Sequence, residues 1–314
     1  MTRPTRAVAL AELPAIGPAV VTMGVFDGLH SGHRAVLQAT TAAAAERGIS
    51  SVALVFDPPP GELLRPGSAV PRLAPLAVNL AGIEAAGIDR AVPIRFDEEL
   101  RKLSAEEFLE GMTPAIELRG LAMSRHSSFG RDRAGTVERM QQLGAQQGFS
   151  VVVVEPVEVD GVPVSSTRIR AAIGAGDLPA AQRLGVTPYL EGTVVVGDRR
   201  GRELGFPTAN LRFDYLPAMP PLGIYAGRTT FAGRPITPGQ PSLISIGTRP
   251  TFHPGGDLLA EVHLLDVDED LYGMRLGVDV VARLRDELRF DGAAALVEQM
   301  HRDAEMGRSV LESS

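Results

Sequence analysis

From Val20 to about Gly185, short apolar runs alternate with stretches whose apolar residues recur at helical spacing, the signature of a parallel sheet covered by helices. Ala19 to Met23 is the first predicted strand. Ser31 is a predicted N-cap for a helix to about Arg47, with Val36, Leu37, Thr40 and Ala44 on one side and Gly48 placed to end it. Ser51 to Phe56 follows as a strand, and the turn Pro58-Pro59-Pro60-Gly61 stops it. A helix around Leu73 to Ala86, a strand near Arg90 to Ile94 and a capping box at Ser104-Ala105-Glu106-Glu107 come next. Leu118 to Met123, a helix from about Thr136 to Gln147 and the β-branched run Val151 to Val154 extend the alternation.

Near Tyr189 the period changes to two, and strands separated by Gly and Pro follow one another. Thr193 to Val196, Ile224 to Phe231, Ser242 to Ile246, Ala260 to Leu265 and Leu276 to Leu284 are predicted strands. A closing helix from about Ala293 to Leu311 is predicted to lay Leu296, Val297 and Met300 on them. The change of texture predicts two domains, 1–185 as a Rossmann-like α/β unit and 186–314 as an all-β unit, and 314 residues suffice for both.

Composition narrows the chemistry. Lys and Arg total 31 against 38 Asp and Glu, a net charge of -7, so no broad basic field of the kind used against nucleic acid exists. The absence of Cys removes disulfides, thiolate nucleophiles and Cys-ligated zinc. No apolar run approaches the roughly 20 residues of a membrane span, and the start lacks a signal peptide's apolar core, so a soluble cytoplasmic enzyme is expected.

Directly after the first strand stands Gly24-Val25-Phe26-Asp27-Gly28-Leu29-His30-Ser31-Gly32-His33. Small residues let the backbone approach a ligand, and the helix opening there aims unpaired N–H groups at an anion. His30 and His33, three apart on the first turn, suit one phosphate, stabilising charge on an α-phosphate and a departing pyrophosphate without a covalent intermediate. A zinc pair is a rival, disfavoured by the missing Cys and by the lack of a carboxylate at ligand spacing; two surface histidines near a turn are another. Ser165-Ser166-Thr167-Arg168-Ile169-Arg170 is a second candidate phosphate clamp, against a plain N-cap with solvated arginines.

These two motifs together resemble the adenylyltransferase module of prokaryotic bifunctional riboflavin kinase/FAD synthetases, within the wider HxGH nucleotidyltransferase class. Phe96-Asp97-Glu98-Glu99-Leu100 and Leu103 to Phe108 are similar to that family as well. The resemblance assigns ATP binding to Gly24, Phe26, Asp27 and Gly28, and contact with the ATP phosphates to His30, His33, Ser166, Thr167 and Arg170. Two segments depart from it. Phe56-Asp57-Pro58-Pro59-Pro60 stands where members carry Phe-Glu/Asp-Pro-His-Pro, and Ser124-Arg125-His126-Ser127-Ser128-Phe129-Gly130 where they carry Gly-x-Asp-Phe-x-Phe-Gly. Both segments shape the flavin side. With aromatics at 5% and no Trp, few rings are expected there, and FMN is expected to be held weakly or replaced by another acceptor.

In the second half, Gly197-Asp198-Arg199-Arg200-Gly201-Arg202-Glu203-Leu204-Gly205-Phe206-Pro207-Thr208-Ala209-Asn210 suits a loop wrapping polyphosphate, against a plain Gly-rich hairpin connection. Thr208 and Asn210 offer neutral oxygens of the kind Mg²⁺ accepts beside substrate phosphates. Glu261 interrupts an apolar strand, where a carboxylate without purpose is costly, against an outward-facing residue on the same face as His263. Residues Tyr189 to Leu311 resemble the riboflavin kinase module of the same family, through Gly223 to Ala226, Ile246 to Phe252, Ala260 to Asp266, Leu271-Tyr272-Gly273 and Leu284 to Glu287. That resemblance implies a six-stranded Greek-key barrel with a C-terminal helix, ATP binding by Gly197, Gly201, Gly205 and Pro207, and Glu261 as the general base.

The activity so implied is phosphorylation of riboflavin to FMN and adenylylation of FMN to FAD, with ATP as co-substrate and Mg²⁺. The alternative is a kinase whose first domain is degenerate, a scaffold, or active on another acceptor.

Overall fold

The computed structural model describes residues 6–64, 69–197, 205–231, 239–249, 257–267 and 269–313. They form two compact units, Met1–Val70 with Pro75–Ser166, and Pro71–Ala74 with Thr167–Ser314.

The first unit is built on a parallel sheet. β1 (Gly17–Gly24), β2 (Ser50–Asp57), β3 (Arg90–Arg95), β4 (Ile116–Ser124) and, after the short hairpin β5 (Ser128–Phe129) with β6 (Gly135–Thr136), β7 (Ser150–Val154) are its strands and their near neighbours in sequence. The sheet order is β3-β2-β1-β4-β7, every pair parallel. Ala19, Val20, Val21 and Thr22 at its centre are buried, because helices cover both faces of the sheet there. Going from β2 through β1 to β4 the order reverses, and in such open sheets ligands lie outside the carboxyl ends of the strands at that point. The motif Gly24 to His33 begins there.

The predicted strands of this half are all present, and the helices recur with adjusted ends. The cap of the first helix differs. Ser31 is its first residue, and His30 is the N-cap, its Nδ1 accepting from the His33 N–H at 3.3 Å. An imidazole nitrogen takes the place of a hydroxyl and fixes His30 against the helix. At Ser104 the capping box forms as expected.

After a second short hairpin, β8 (Glu158–Val159) with β9 (Val162–Pro163), the second unit forms a closed antiparallel barrel. Its strands are β10 (Tyr189–Val195), β11 (Ala209–Arg212), β12 (Gly223–Phe231), β13 (Gln240–Arg249), β14 (Asp257–Leu264) and β15 (Arg275–Arg285), in the closed order β10-β11-β14-β13-β12-β15. β12, β13 and β14 are successive hairpins and β11 lies beside β14, which is a Greek key. Leu190, Val194, Leu211, Tyr225, Ile244, Ile246, Val262, Leu264, Leu276 and Val278 fill the interior with alternate residues of every strand. Strand β11 was not among the predicted strands, since four residues behind a Phe-Pro turn leave no alternation to read.

The sequence places the domain boundary at 185/186, whereas the compact units divide at Ser166/Thr167. The helices Ser166–Gly174 and Leu178–Arg183 account for the difference: Leu178 packs into the barrel core, and the Gln182 amide donates to the Val281 carbonyl of β15.

The C-terminal helix, Ala293–Glu312, docks through Asp303, Ala304, Gly307 and Leu311, while the anticipated Leu296, Val297 and Met300 are only half-buried. Gly307 eases the close approach there, because a Cβ would stand 2.9 Å from the Leu243 side chain and make it shift. Arg285 of β15 forks onto Asp303, with side chains 17% and 3% exposed, and Gln299 donates to the same carboxylate at 2.9 Å. Asp303→Ala is therefore expected to destabilise the barrel unit by about 2 to 3 kcal/mol, because it leaves a half-buried guanidinium without its carboxylate. Chemical denaturation followed by circular dichroism measures it, and a loss under about 1 kcal/mol refutes it.

Candidate active sites

At the carboxyl edge of the parallel sheet the turn after β1 is tightly wound. Phe26 and Leu29 have φ of 51° and 44°, left-handed values that cost a non-glycine residue roughly 1–3 kcal/mol each and persist only where neighbours enforce them. Asp27 and His30 are buried, at 3% and 5% exposure. The His30 and His33 rings stack 3.6 Å apart at 18°, and the Phe26 ring backs His33 at 5.3 Å. The two histidines thus act as one unit at the start of the helix Ser31–Ala45, whose N-terminus favours an anion.

Ser166 joins them. Its hydroxyl donates to the Asp27 carbonyl at 3.2 Å, and Gly32 approaches the Val164 carbonyl, so the second motif begins beside the first. Thr167 and Arg170 fall in the other compact unit, where the Arg170 Nε donates to the Pro71 carbonyl. Sequence reading missed Asn79, a buried amide whose Oδ1 accepts from the Gly28 N–H at 3.0 Å.

Along the same edge lies a cavity of about 630 Å³. Phe56, Phe96, Phe108 and Phe129 line it, with Arg131 and Arg133 among the residues at its walls. The rings meet edge to face, Phe56 with Phe96 at 5.8 Å and Phe108 with Phe129 at 5.6 Å. Four rings thus gather beside the two departing segments, where few were expected. Low aromatic content over the whole chain says nothing of where the rings gather, and here residues far apart in sequence converge at the ends of parallel strands.

In the barrel unit, Gly197, Pro207, Thr208 and Asn210 line a cavity of about 320 Å³, which Glu269 and Asp270 also border. Asn210 of β11 stands opposite Glu261 of β14, and Ser245 of β13 opposite Glu261 on its other side. Opposed residues of antiparallel strands share a face, so the carboxylate and the amide are neighbours across the ladder. Glu261 is half-buried and Asn210 is buried at 4% exposure. Gly197 gives Asn210 its place: a Cβ there would fall 2.3 Å from the amide nitrogen. On the same face as Glu261, His263 reaches the Pro207 carbonyl through Nδ1 at 2.8 Å, and the Phe206 ring lies against it. Gly205 has φ of 83°, the left-handed turn that admits glycine. Gly201 lies outside the described residues.

Gly197→Ala is expected to lower turnover at the barrel site about 10-fold or more by displacing the Asn210 amide, with turnover at the histidine site unchanged. Parallel assays of the two reactions on one preparation check it; equal loss of both points to misfolding.

The sequence model of the FAD synthetase family matches residues 14–168, and that of riboflavin kinase matches residues 184–311. The bifunctional riboflavin kinase/FMN adenylyltransferase of Pseudomonas fluorescens is 37% identical, over 94% of this chain and 94% of its own length. The protein of the same name from Escherichia coli K12 is 35% identical over 94% and 93%. Among solved structures, one described as a macrolide-efflux protein from Streptococcus pneumoniae superposes with a TM-score of 0.84 at 28% identity, covering 96% of this chain and 97% of that one. The FAD synthetase match runs through both departing segments, Phe56 to Pro60 and Ser124 to Gly130. By these likenesses, the chain belongs to the bifunctional riboflavin kinase/FMN adenylyltransferase family.

Proposed function

We propose that the stacked His30–His33 pair carries adenylyl transfer and that Glu261, beside Asn210, carries phosphoryl transfer, in a chain that converts riboflavin to FMN and FMN to FAD. The functional division is 1–185 for the nucleotidyltransferase and 186–314 for the kinase. The observation carrying the reading is that each half holds a phosphate-suited constellation at the place its fold reserves for one. The histidines stand at the switch point of the sheet, and Thr208 and Asn210 face a barrel cavity next to a half-buried carboxylate.

In the first site the helix N-terminus and the imidazoles of His30 and His33 stabilise charge gathering on the α-phosphate and on the departing pyrophosphate. Ser166 adds a donor to the polyphosphate, and Gly24, Phe26, Asp27 and Gly28 shape the ATP side. The phenylalanine-lined cavity offers faces for a flavin ring, and Arg131 and Arg133 offer cations for its phosphate. With those rings in place, no observation favours a degenerate first domain.

In the second site Glu261 accepts the proton of the ribityl hydroxyl while Gly197, Gly201, Gly205 and Pro207 shape the nucleotide loop. Among the described residues no group of three or more His, Asp and Glu side chains is placed to hold a metal by itself. Neutral donors such as Thr208 and Asn210 fit Mg²⁺, which takes few protein ligands and completes its shell with water and phosphates. When bound with ATP, Mg²⁺ neutralises charge on the transferred phosphoryl group. No helix among the described residues is long and apolar enough to cross a membrane, and we place the enzyme in the cytoplasm with riboflavin, FMN and ATP as its partners.

Incubating the full chain with riboflavin, ATP and Mg²⁺, with FMN and FAD resolved chromatographically over time, tests the assignment. FMN is expected first and FAD after it. FMN accumulating without FAD or pyrophosphate refutes the first half.

A further inference from the structure

The turn that aims His30 and His33 is not self-supporting. Phe26 and Leu29 sit at φ of 51° and 44°, and the backbone between them needs an external partner to stay there. One helix provides two. On Leu76–Ala85, the buried Asn79 accepts the Gly28 N–H at 3.0 Å, and Gly82, one turn later, leaves room for the Leu29 side chain. A Cβ at position 82 would stand 2.3 Å from Leu29 Cδ1, so a larger residue there forces the Leu29 side chain to shift. Asn79 and Gly82 share a helix face because they are three residues apart. An amide buried to 5% exposure is costly unless its hydrogen bonds are made, and the one its oxygen accepts from Gly28 holds this turn.

We infer that Asn79 and Gly82 are positioning residues for adenylyl transfer, acting through the Gly28–Leu29 backbone on the orientation of the His30–His33 pair. Neither touches a reacting atom. The inference rests on the proposal that this pair performs the transfer. It follows that loss of the amide lets the turn relax and misplaces the imidazoles relative to the α-phosphate. Errors of about 1 Å in such placement are sufficient to slow a reaction about 100-fold.

The full-length Asn79→Ala, Asn79→Asp, Gly82→Ala and His30→Ala variants are each assayed with FMN, ATP and Mg²⁺ for FAD and pyrophosphate, and with riboflavin for FMN. Asn79→Ala is expected to lower kcat for FAD formation by about 10- to 100-fold, with KM for FMN and ATP within about threefold and kinase turnover unchanged. Asn79→Asp, which keeps an oxygen acceptor for Gly28, is expected to recover at least about tenfold of the lost kcat. A normal kcat for Asn79→Ala beside an inactive His30→Ala overturns the positioning role alone, whereas an active His30→Ala overturns the histidine assignment itself. Equal damage in the alanine and aspartate variants, or kinase loss in step with FAD loss, also overturns the role. If Asn79→Ala cannot be purified folded, Gly82→Ala decides: selective loss of FAD kcat upholds the inference, and an unchanged kcat removes it.

Discussion

Replacing His30 or His33 by alanine is expected to lower FAD and pyrophosphate formation from FMN and ATP by about 100-fold or more while riboflavin phosphorylation continues at its normal rate. The magnitude follows from what the pair does. Removing one preorganised donor from a site where charge develops commonly costs roughly 3–4 kcal/mol, and each ~1.4 kcal/mol is tenfold in rate. The stacking of the two rings at 3.6 Å makes the losses non-additive: either ring orients the other, and His30 Nδ1 also caps the helix through the His33 N–H. The double variant should therefore be little worse than the worse single one. Steady-state assays of both reactions on the same preparation decide the matter. FAD formation undiminished in both single variants would return the histidines to a helix-capping role.

Glu261→Gln is the second large effect. Turnover of the kinase is expected to fall about 100-fold or more, the scale of a general base, with nucleotide and flavin binding retained. Glutamine keeps the shape and one acceptor oxygen opposite Asn210 but cannot take the ribityl proton. FAD formation from supplied FMN should not change, since the other site is built on another sheet. Isothermal titration with a non-hydrolysable ATP analogue separates binding from turnover. Unchanged turnover would make Glu261 an ordinary strand carboxylate.

The two halves differ in what their order along the chain could convey. The first motif is contiguous, and a strand, a Gly-rich turn and a helix N-terminus in ten residues specify an anion site by local geometry alone. The same holds for the texture change near Tyr189, because alternation of period two and spacing of period 3.6 are properties of neighbours in sequence. Architecture, both candidate phosphate sites and Glu261 were accordingly legible before any coordinates. Other features rest on pairing across long loops. β11 is visible only because Asn210 finds Glu261 some fifty residues on, which no local pattern encodes. Of the four phenylalanines of the larger cavity, Phe56 lies at the end of β2, Phe96 and Phe108 between β3 and β4, and Phe129 after β4, and only the parallel order of β2, β3 and β4 brings these places to one edge. Asn79 carries no signal in the sequence, and only the fold lays it against Gly28. Hydrophobic periodicity and motif spacing thus determined an α/β half, an all-β half and the candidate phosphate motifs, while the closed six-stranded barrel followed from the family resemblance. Tertiary packing decided which distant side chains support the strained turn, which rings gather around the larger cavity, and how the C-terminal helix locks the barrel, because each of these depends on contacts between residues whose sequence separation leaves no periodic trace.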